Sequence, residues 1–242
     1  MRRDRAARMF DKHDFLRKWM VEGLEDRLGA VRRGFVDVLD LGCFDQSFSL
    51  PGTRIVRCDA GTLFSQNGVR AEEDALPFAE ASFDLVVSAG VLDTVNDLPG
   101  ALVQIRRALR PGGLFLGAFA GAGTLAVLRA AFRDAERDAP AARFHPQIDV
   151  RAAGDLMLRA GFTLPVADTE TLFARYGNLF KLVADLRGMA ATNMLVERSP
   201  LTKGAVGRAA SAFADSADAD GRVSERFNTI FLTGWAPETN GS

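Results

Sequence analysis

Several polar residues sit where a chain would place them to grip a small molecule. An apolar run, VDVLDL at 36–41, carries Asp40 and Leu41 and is followed by Gly42. A second, RIVRC at 54–58, is followed at once by Asp59. A carboxylate just past a strand accepts hydrogen bonds from two neighbouring hydroxyls, the pair that a ribose offers. Further on, EEDALPF at 72–78 sets Glu72, Glu73 and Asp74 ahead of Leu76, acids beside an apolar slot. FDLVVSAG at 83–90 ends on Ser88, Ala89 and Gly90, small residues that let a ligand approach the backbone. Asp40, Gly42, Asp59, Glu72, Glu73 and Ala89 are therefore the candidate nucleoside-binding set. Asn96 and Asp97 leave the same strand exit and are the candidates for touching a substrate. Asp97, placed before Leu98-Pro99, equally suits a helix N-cap.

These positions need a scaffold, and the spacing of apolar residues supplies one. Strands are expected at 36–41, 54–58, 83–90 and 113–121, the last launched by the turn Pro111-Gly112-Gly113. Between the last two, residues 97–110 repeat apolar groups at Leu102, Ile105 and Leu109, the stripe of an amphipathic helix. Strand, helix, strand without a hairpin turn implies a parallel sheet. Ligands of such sheets sit outside the carboxyl ends of the strands, where the winding reverses. A helix is expected at 14–31, with Asp14 as its cap and Leu16, Met20, Leu24 and Leu28 inward. Others are expected at 125–138 behind Thr124, at 150–160 before Gly161, and at 178–193. FTLPVADTETLFARY reads as strand, with Pro165 suited to a sheet edge, and 226–237 as a late strand. The organisation expected is an N-terminal helical segment, 1–34, and one α/β domain, 35–242, with helical additions at about 122–160 and 178–214.

The chain's 242 residues suffice for one large domain, and a net charge of −1 gives no general attraction to nucleic acid or anionic membrane. Two cysteines, Cys43 and Cys58, are too few for a disulfide framework and read as buried thiols. No apolar run is long enough to span a bilayer. The start, MRRDRAARMF, is rich in arginine but interrupted by Asp4, and Asp11 follows. It resembles neither a secretory signal nor a typical mitochondrial presequence, so a cytoplasmic location is expected. The two histidines, His13 and His145, lie too far apart in sequence to suggest a metal site, and no metal is expected. No serine or cysteine nucleophile arrangement and no phosphate-cradling lysine loop stand out.

VLDLGC, then Asp59, then EEDALPFAEASFDLVVS, then LRPGGLFL resemble, in that order, the class I S-adenosylmethionine-dependent methyltransferases. DRAARMF, HDFL, VNDLPGAL, AGFTLPVAD, DLRGMAATN and FLTGWAP are similar to a narrower family, that of a mitochondrial complex I assembly factor with a methyltransferase fold and its bacterial relatives. That resemblance spans nearly the whole chain. It implies a Rossmann-like, doubly wound, mainly parallel seven-stranded sheet, with S-adenosylmethionine as cofactor. It also implies a methyltransferase or, as the assembly factor is described, a hydroxylase of a protein arginine. The substrate would be a respiratory complex subunit or a small molecule. Tyr176, Arg187 and Asn193 fall in the family-specific half and are candidates for the substrate mouth.

One stretch departs from the resemblance. It implies glycines at 44 and 46, and the chain has Phe44 and Gln46. Glycine there allows a tight turn and lets backbone N–H groups reach the ligand. The connection from Gly42 to the second strand is also short, with room for one or two helical turns. The adenosine half of the site is thus expected to be kept and the methionine half compromised. The alternative reading is a non-catalytic or weakly cofactor-binding protein that uses the fold to hold a complex I subunit.

Overall fold

In the computed structural model, which describes residues 2–137, 140–196 and 199–238, the apolar runs form one seven-stranded sheet. Its strands are β1 (Asp37–Leu41), β2 (Arg54–Asp59), β3 (Val69–Arg70), β4 (Phe83–Ala89), β5 (Leu109–Ala120), β6 (Thr163–Tyr176) and β7 (Val223–Trp235). Their spatial order is β3-β2-β1-β4-β5-β7-β6. The first five are mutually parallel, and β7 runs antiparallel to both β5 and β6. This is the mainly parallel, doubly wound sheet that the sequence implies. The winding reverses between β1 and β4, so the crevice lies above Leu41, Gly42 and Ala89.

The central strands are apolar on both faces because both faces are covered. On one face, helix α2 (Phe15–Gly29) lays Met20, Val21 and Leu24 against Val38, Leu85, Leu116 and Phe231. On the other, α3 (Leu98–Ala108) and α5 (Val150–Arg159) cover Leu39, Val86 and Phe115 with Leu102, Ile105 and Met157. Each such side chain contributes about 1.5–3 kcal/mol on burial. The remaining helices are the short α1 (Arg2–Ala7), α4 (Ala126–Ala135), α6 (Leu179–Gly188) and α7 (Lys203–Ala214). β6 is an edge strand with a register shift between Thr163 and Val166, the place where Pro165 costs no ladder bond.

Several boundaries differ from expectation. Asp14 occupies the cap position of α2 without capping it; its carboxylate pairs with Lys18 instead. Helix α4 starts at Ala126, because Leu125 takes a left-handed φ of 59° and Thr124 donates its hydroxyl to Asn228 O. Asp138, the last residue of that expected helix, lies outside the described residues. β5 begins before its Pro-Gly-Gly turn, because Gly112 N–H donates to Ala236 O and Ala236 N–H donates to Gly113 O. The connection from β1 to β2 contains turns and no helix, shorter in helix than even its length allowed. Both cysteines are free and buried, and burial pushes each thiol up to about 12.

Candidate functional site

The acids and small residues of the nucleoside-binding set do meet at one crevice, except Glu72. Asp40 and Asp59 are fully buried at the tips of β1 and β2, and Glu73 is buried beside them. Glu72 is exposed: in that turn the neighbouring position, Glu73, points inward. Gly42 holds a φ of 76°, and a β-carbon there would run into the Val91 side chain, so no larger residue fits. Its N–H donates to Cys58 O, which locks the tips of β1 and β2 together. Gln46 also has a positive φ, 57°, so the turn still asks for the backbone geometry that glycine gives most cheaply.

Asn96 and Asp97 are exposed at the start of α3. Asp97 accepts the Gly100 N–H at 2.9 Å and caps that helix. The residues of this exit that face inward are Asp93 and Thr94. Of the candidates for the mouth, Asn193 lines the cavity described below and Arg187 its outer groove, whereas Tyr176 is buried in the core.

The crevice is filled by the chain itself, from residues that spacing did not single out. Arg17, on α2, donates from Nη1 to Gly42 O at 2.9 Å and to Ala89 O at 2.7 Å. Its Nε donates to Asp45 at 2.8 Å, and its Nη2 lies 3.6 Å from Asp40. Arg3, on α1, places Nη1 at 2.7 Å from Glu73 and 3.2 Å from Asp59. Burial works against the Arg3 charge, but Asp59 and Glu73 more than offset it and hold the guanidinium above its ordinary value. The Phe10 ring stacks on Phe44 at 5.0 Å, and Phe64 closes the group edge-on. The Arg3 and Arg17 guanidinium carbons each lie 5.4 Å from the centre of the Phe44 ring. Phe44 is the seat of an aromatic and cationic plug.

One signal for Arg17 was present. It falls on the same helical stripe as Met20, Val21 and Leu24, where a charge is out of place unless it has a buried partner. Arg3 carried none, being one arginine of several in an arginine-rich start.

The acceptors suit a cationic amino-acid nucleoside. Asp59 would take vicinal hydroxyls, and Gly42 O and Ala89 O would take an ammonium. Asp59 Oδ2 and both Asp40 carboxylate oxygens are buried with no hydrogen bond. The volume does not suit it: Arg3, Phe10 and Arg17 stand where the ligand would lie. As folded, the crevice does not fit S-adenosylmethionine.

Beyond the plug, above β4 and β5, the chain leaves a cavity of about 120 Å³. Met20, Phe44, Leu125, Phe144, Leu186 and Phe227 give it apolar walls. Arg129 reaches into it with no carboxylate partner among the described residues. Its Nε donates to Thr124 O, its Nη2 to His145 O, and its guanidinium carbon lies 4.6 Å from the centre of the Phe144 ring. Burial pushes its pKa down. Asp93 lines the same cavity, and burial pushes its carboxyl up to about 6 against the pull of Arg2. Neighbouring Arg143 is different, since Glu136 neutralises it. His145 accepts the Met194 N–H, and His13 pairs with Asp185 at 2.7 Å. Among the described residues, no three His, Cys, Asp or Glu side chains gather as a metal site.

Comparison with known proteins agrees with this architecture. Residues 53–117 match the methyltransferase domain model. The chain is 31% identical to the arginine-hydroxylase NDUFAF5, mitochondrial, of Danio rerio, over 97% of this chain and 80% of that protein. It is 30% identical to the malonyl-[acyl-carrier protein] O-methyltransferase of a Methylovorus strain, over 97% of this chain and 87% of that one. Among solved structures, the YcgJ protein of Bacillus subtilis superposes with a TM-score of 0.62 at 14% identity, covering 91% of this chain and 99% of that one. Among the described residues, no helix is long and apolar enough to cross a membrane.

Proposed function

This chain belongs to the class I S-adenosylmethionine-dependent methyltransferase superfamily, near the NDUFAF5 proteins, and from that premise we propose that its acceptor carries an anionic group on an apolar stem. S-adenosylmethionine is the cofactor of that superfamily and supplies the methyl group when bound. The chain's own residues define the acceptor side.

The observation that carries the proposal is Arg129. A half-buried guanidinium lining a mainly apolar cavity, in no ion pair with a described carboxylate, leaves a charge that an anionic ligand can meet. A carboxylate would meet it with charge-assisted hydrogen bonds, while Leu125, Phe144 and Phe227 take the stem. The outer groove carries Arg2, Arg5 and Arg187, a rim that favours approach by an acidic molecule. The relative from Methylovorus is named for a malonyl carrier substrate, which has this chemistry. Binding of a malonyl thioester, followed by calorimetry, tests the reading. Arg129→Ala should weaken it by about tenfold or more and Arg129→Lys by less. Equal affinity for all three proteins would remove the anionic acceptor.

A second reading is favoured by the filled crevice: a protein that holds a respiratory complex I subunit without using the cofactor. The similarity to NDUFAF5 supports a protein partner for this reading. Mass spectrometry of a candidate arginine peptide incubated with the protein separates the possibilities. A methyl increment marks transfer, an oxygen increment marks hydroxylation, and unchanged mass in a stable complex marks holding.

A further inference from the structure

We propose that residues 2–17 are a built-in occupant of the nucleoside crevice, one that S-adenosylmethionine must displace in order to bind. The inference rests on the superfamily reading above and goes beyond it, because it concerns what the crevice holds without ligand.

The occupant copies the polar groups of the ligand one by one. Arg17 gives two hydrogen bonds to the carbonyls at the tips of β1 and β4, Gly42 O and Ala89 O, as an α-ammonium would. Arg3 offers a donor to Asp59 and Glu73, as a ribose diol would offer to the first of these. Phe10 lies flat on Phe44, an aromatic ring on an aromatic ring. The replacement of glycine by Phe44 then has a use: it is the surface on which Phe10 and both guanidinium groups rest.

The copy is imperfect. Arg3 Nη1 and Glu73 Oε1 are close but not aligned for a hydrogen bond, and Asp59 Oδ2 and both oxygens of Asp40 accept no hydrogen bond from the described residues, Asp40 having only the more distant charges of Arg17 and Arg57. Buried acceptors without donors are costly, so a ligand with vicinal hydroxyls has something to gain over the arm. Besides the buried contacts of Arg3, Phe10 and Arg17, the arm makes further polar ties. Asp4 accepts the Leu63 N–H, Arg2 donates to Thr94 and Thr192 O, and His13 pairs with Asp185. Helix α1 has six residues, too few to persist by itself. Such a segment opens locally without global unfolding. Gly61 shows how closely it sits when closed: a β-carbon there would lie 2.9 Å from Arg3 Cβ.

An arm closed in about 99 molecules of 100 weakens apparent ligand affinity about a hundredfold. Weakening the arm should therefore tighten binding, the opposite of what removing a binding residue does.

The test titrates S-adenosylhomocysteine calorimetrically into the full chain, full-length Arg3→Gln and full-length Phe10→Ala. Hydrogen exchange of residues 2–17 is followed with and without ligand. Tightening of about tenfold or more in either variant, with faster exchange at Met9, Lys12 and His13 in the ligand-saturated natural chain, supports the inference. Those amides donate to Ala6 O, Met9 O and Phe10 O while the arm is folded. Equal affinity for all three proteins, with arm exchange unaffected by ligand, overturns it and leaves the superfamily reading standing. Folded proteins that bind nothing up to millimolar ligand overturn the inference together with cofactor use by this chain, and leave the holding reading. Should a variant fail to fold, the exchange comparison on the natural chain decides alone.

Discussion

The crest of the sheet has two halves, built alike and finished differently. Above β1, β2 and β3 the chain collects Asp40, Asp45, Asp59 and Glu73, and answers them with its own Arg3 and Arg17. Above β4 and β5 it sets Arg129 into a mainly apolar cavity, in no ion pair with a carboxylate among the described residues. A buried charge such as Arg3 or Arg17 must find a partner, because desolvation otherwise exceeds whatever packing returns, and the half-buried Arg129 gains by finding one. Where the chain supplies the partner, the half is closed. Where it does not, the partner has to arrive. The two halves thus differ in who completes the charge balance, and substitutions should act on them in opposite ways.

The largest effect belongs to Arg17, which is 4% exposed and serves two carbonyls and two carboxylates. Arg17→Ala leaves Asp40 buried with, among the described residues, only Arg57, at 4.0 Å, to face it. Removing one partner of a buried charge pair costs about 3–5 kcal/mol. A shift of the urea midpoint corresponding to less than about 1 kcal/mol would falsify the closed half as described. Phe44→Ala comes next, at about 3 kcal/mol, because the ring packs against Phe10 and Phe64 and carries two guanidinium groups. In the same variant the arm should become a better substrate for trypsin. A protein that loses stability but keeps residues 2–17 protected would separate packing from plugging.

Gly42→Ala follows at about 2–4 kcal/mol, from a positive φ and a collision with Val91 together. This cost falls on the sheet tips and not on the arm. Calorimetry should therefore show lower thermal stability with arm exchange unchanged, apart from any general loosening. A neutral Gly42→Ala would mean that the tips of β1 and β4 relax further than their packing suggests.

What the sequence disclosed about these halves follows from the range of the interactions. Strand positions, the carboxylate at the end of β2 and the cap at Asp97 are local matters, set by alternation, turns and caps within a few residues. Choosing between Glu72 and Glu73 already needs the fold, because one turn residue faces in and its neighbour faces out. The plug needs still more. It joins residues 3, 10 and 17 to residues 44, 59 and 73, and no spacing rule links those numbers. Phe44 was legible as a departure, but its meaning was not, since a ring that blocks a ligand and a ring that seats an arm look the same in one dimension. Arg129 lay inside a correctly expected amphipathic helix, where an arginine reads as solvated surface.

Arg129→Ala tests the open half by contrast. No described acid depends on it, so thermal stability should change by less than about 1 kcal/mol. The effect should appear in ligand affinity instead, which is the reverse of the Arg17 outcome. A large stability loss at Arg129 would erase the distinction between the halves.

The smallest effect lies at the seam, where Asp93 of the open cavity feels Arg2 of the arm. Burial pushes the Asp93 carboxyl up to about 6, against about 3.9 for an unfolded chain. The folded protein therefore holds this proton more tightly than the unfolded one. The stabilising contribution is fully present below about pH 4 and is lost as pH rises through about 6. Asp93→Asn cannot titrate, so the variant should be the more stable protein at pH 7.5, with the gap narrowing toward pH 4.5. Reading the difference between variant and natural chain removes the common effect of the other carboxylates. Removal of the arm's charge by Arg2→Gln should widen that gap at neutral pH, because Asp93 then loses the cation that favours its ionised form. If Arg2→Gln leaves the gap unchanged, the arm does not reach electrostatically across the seam, and the two halves work independently.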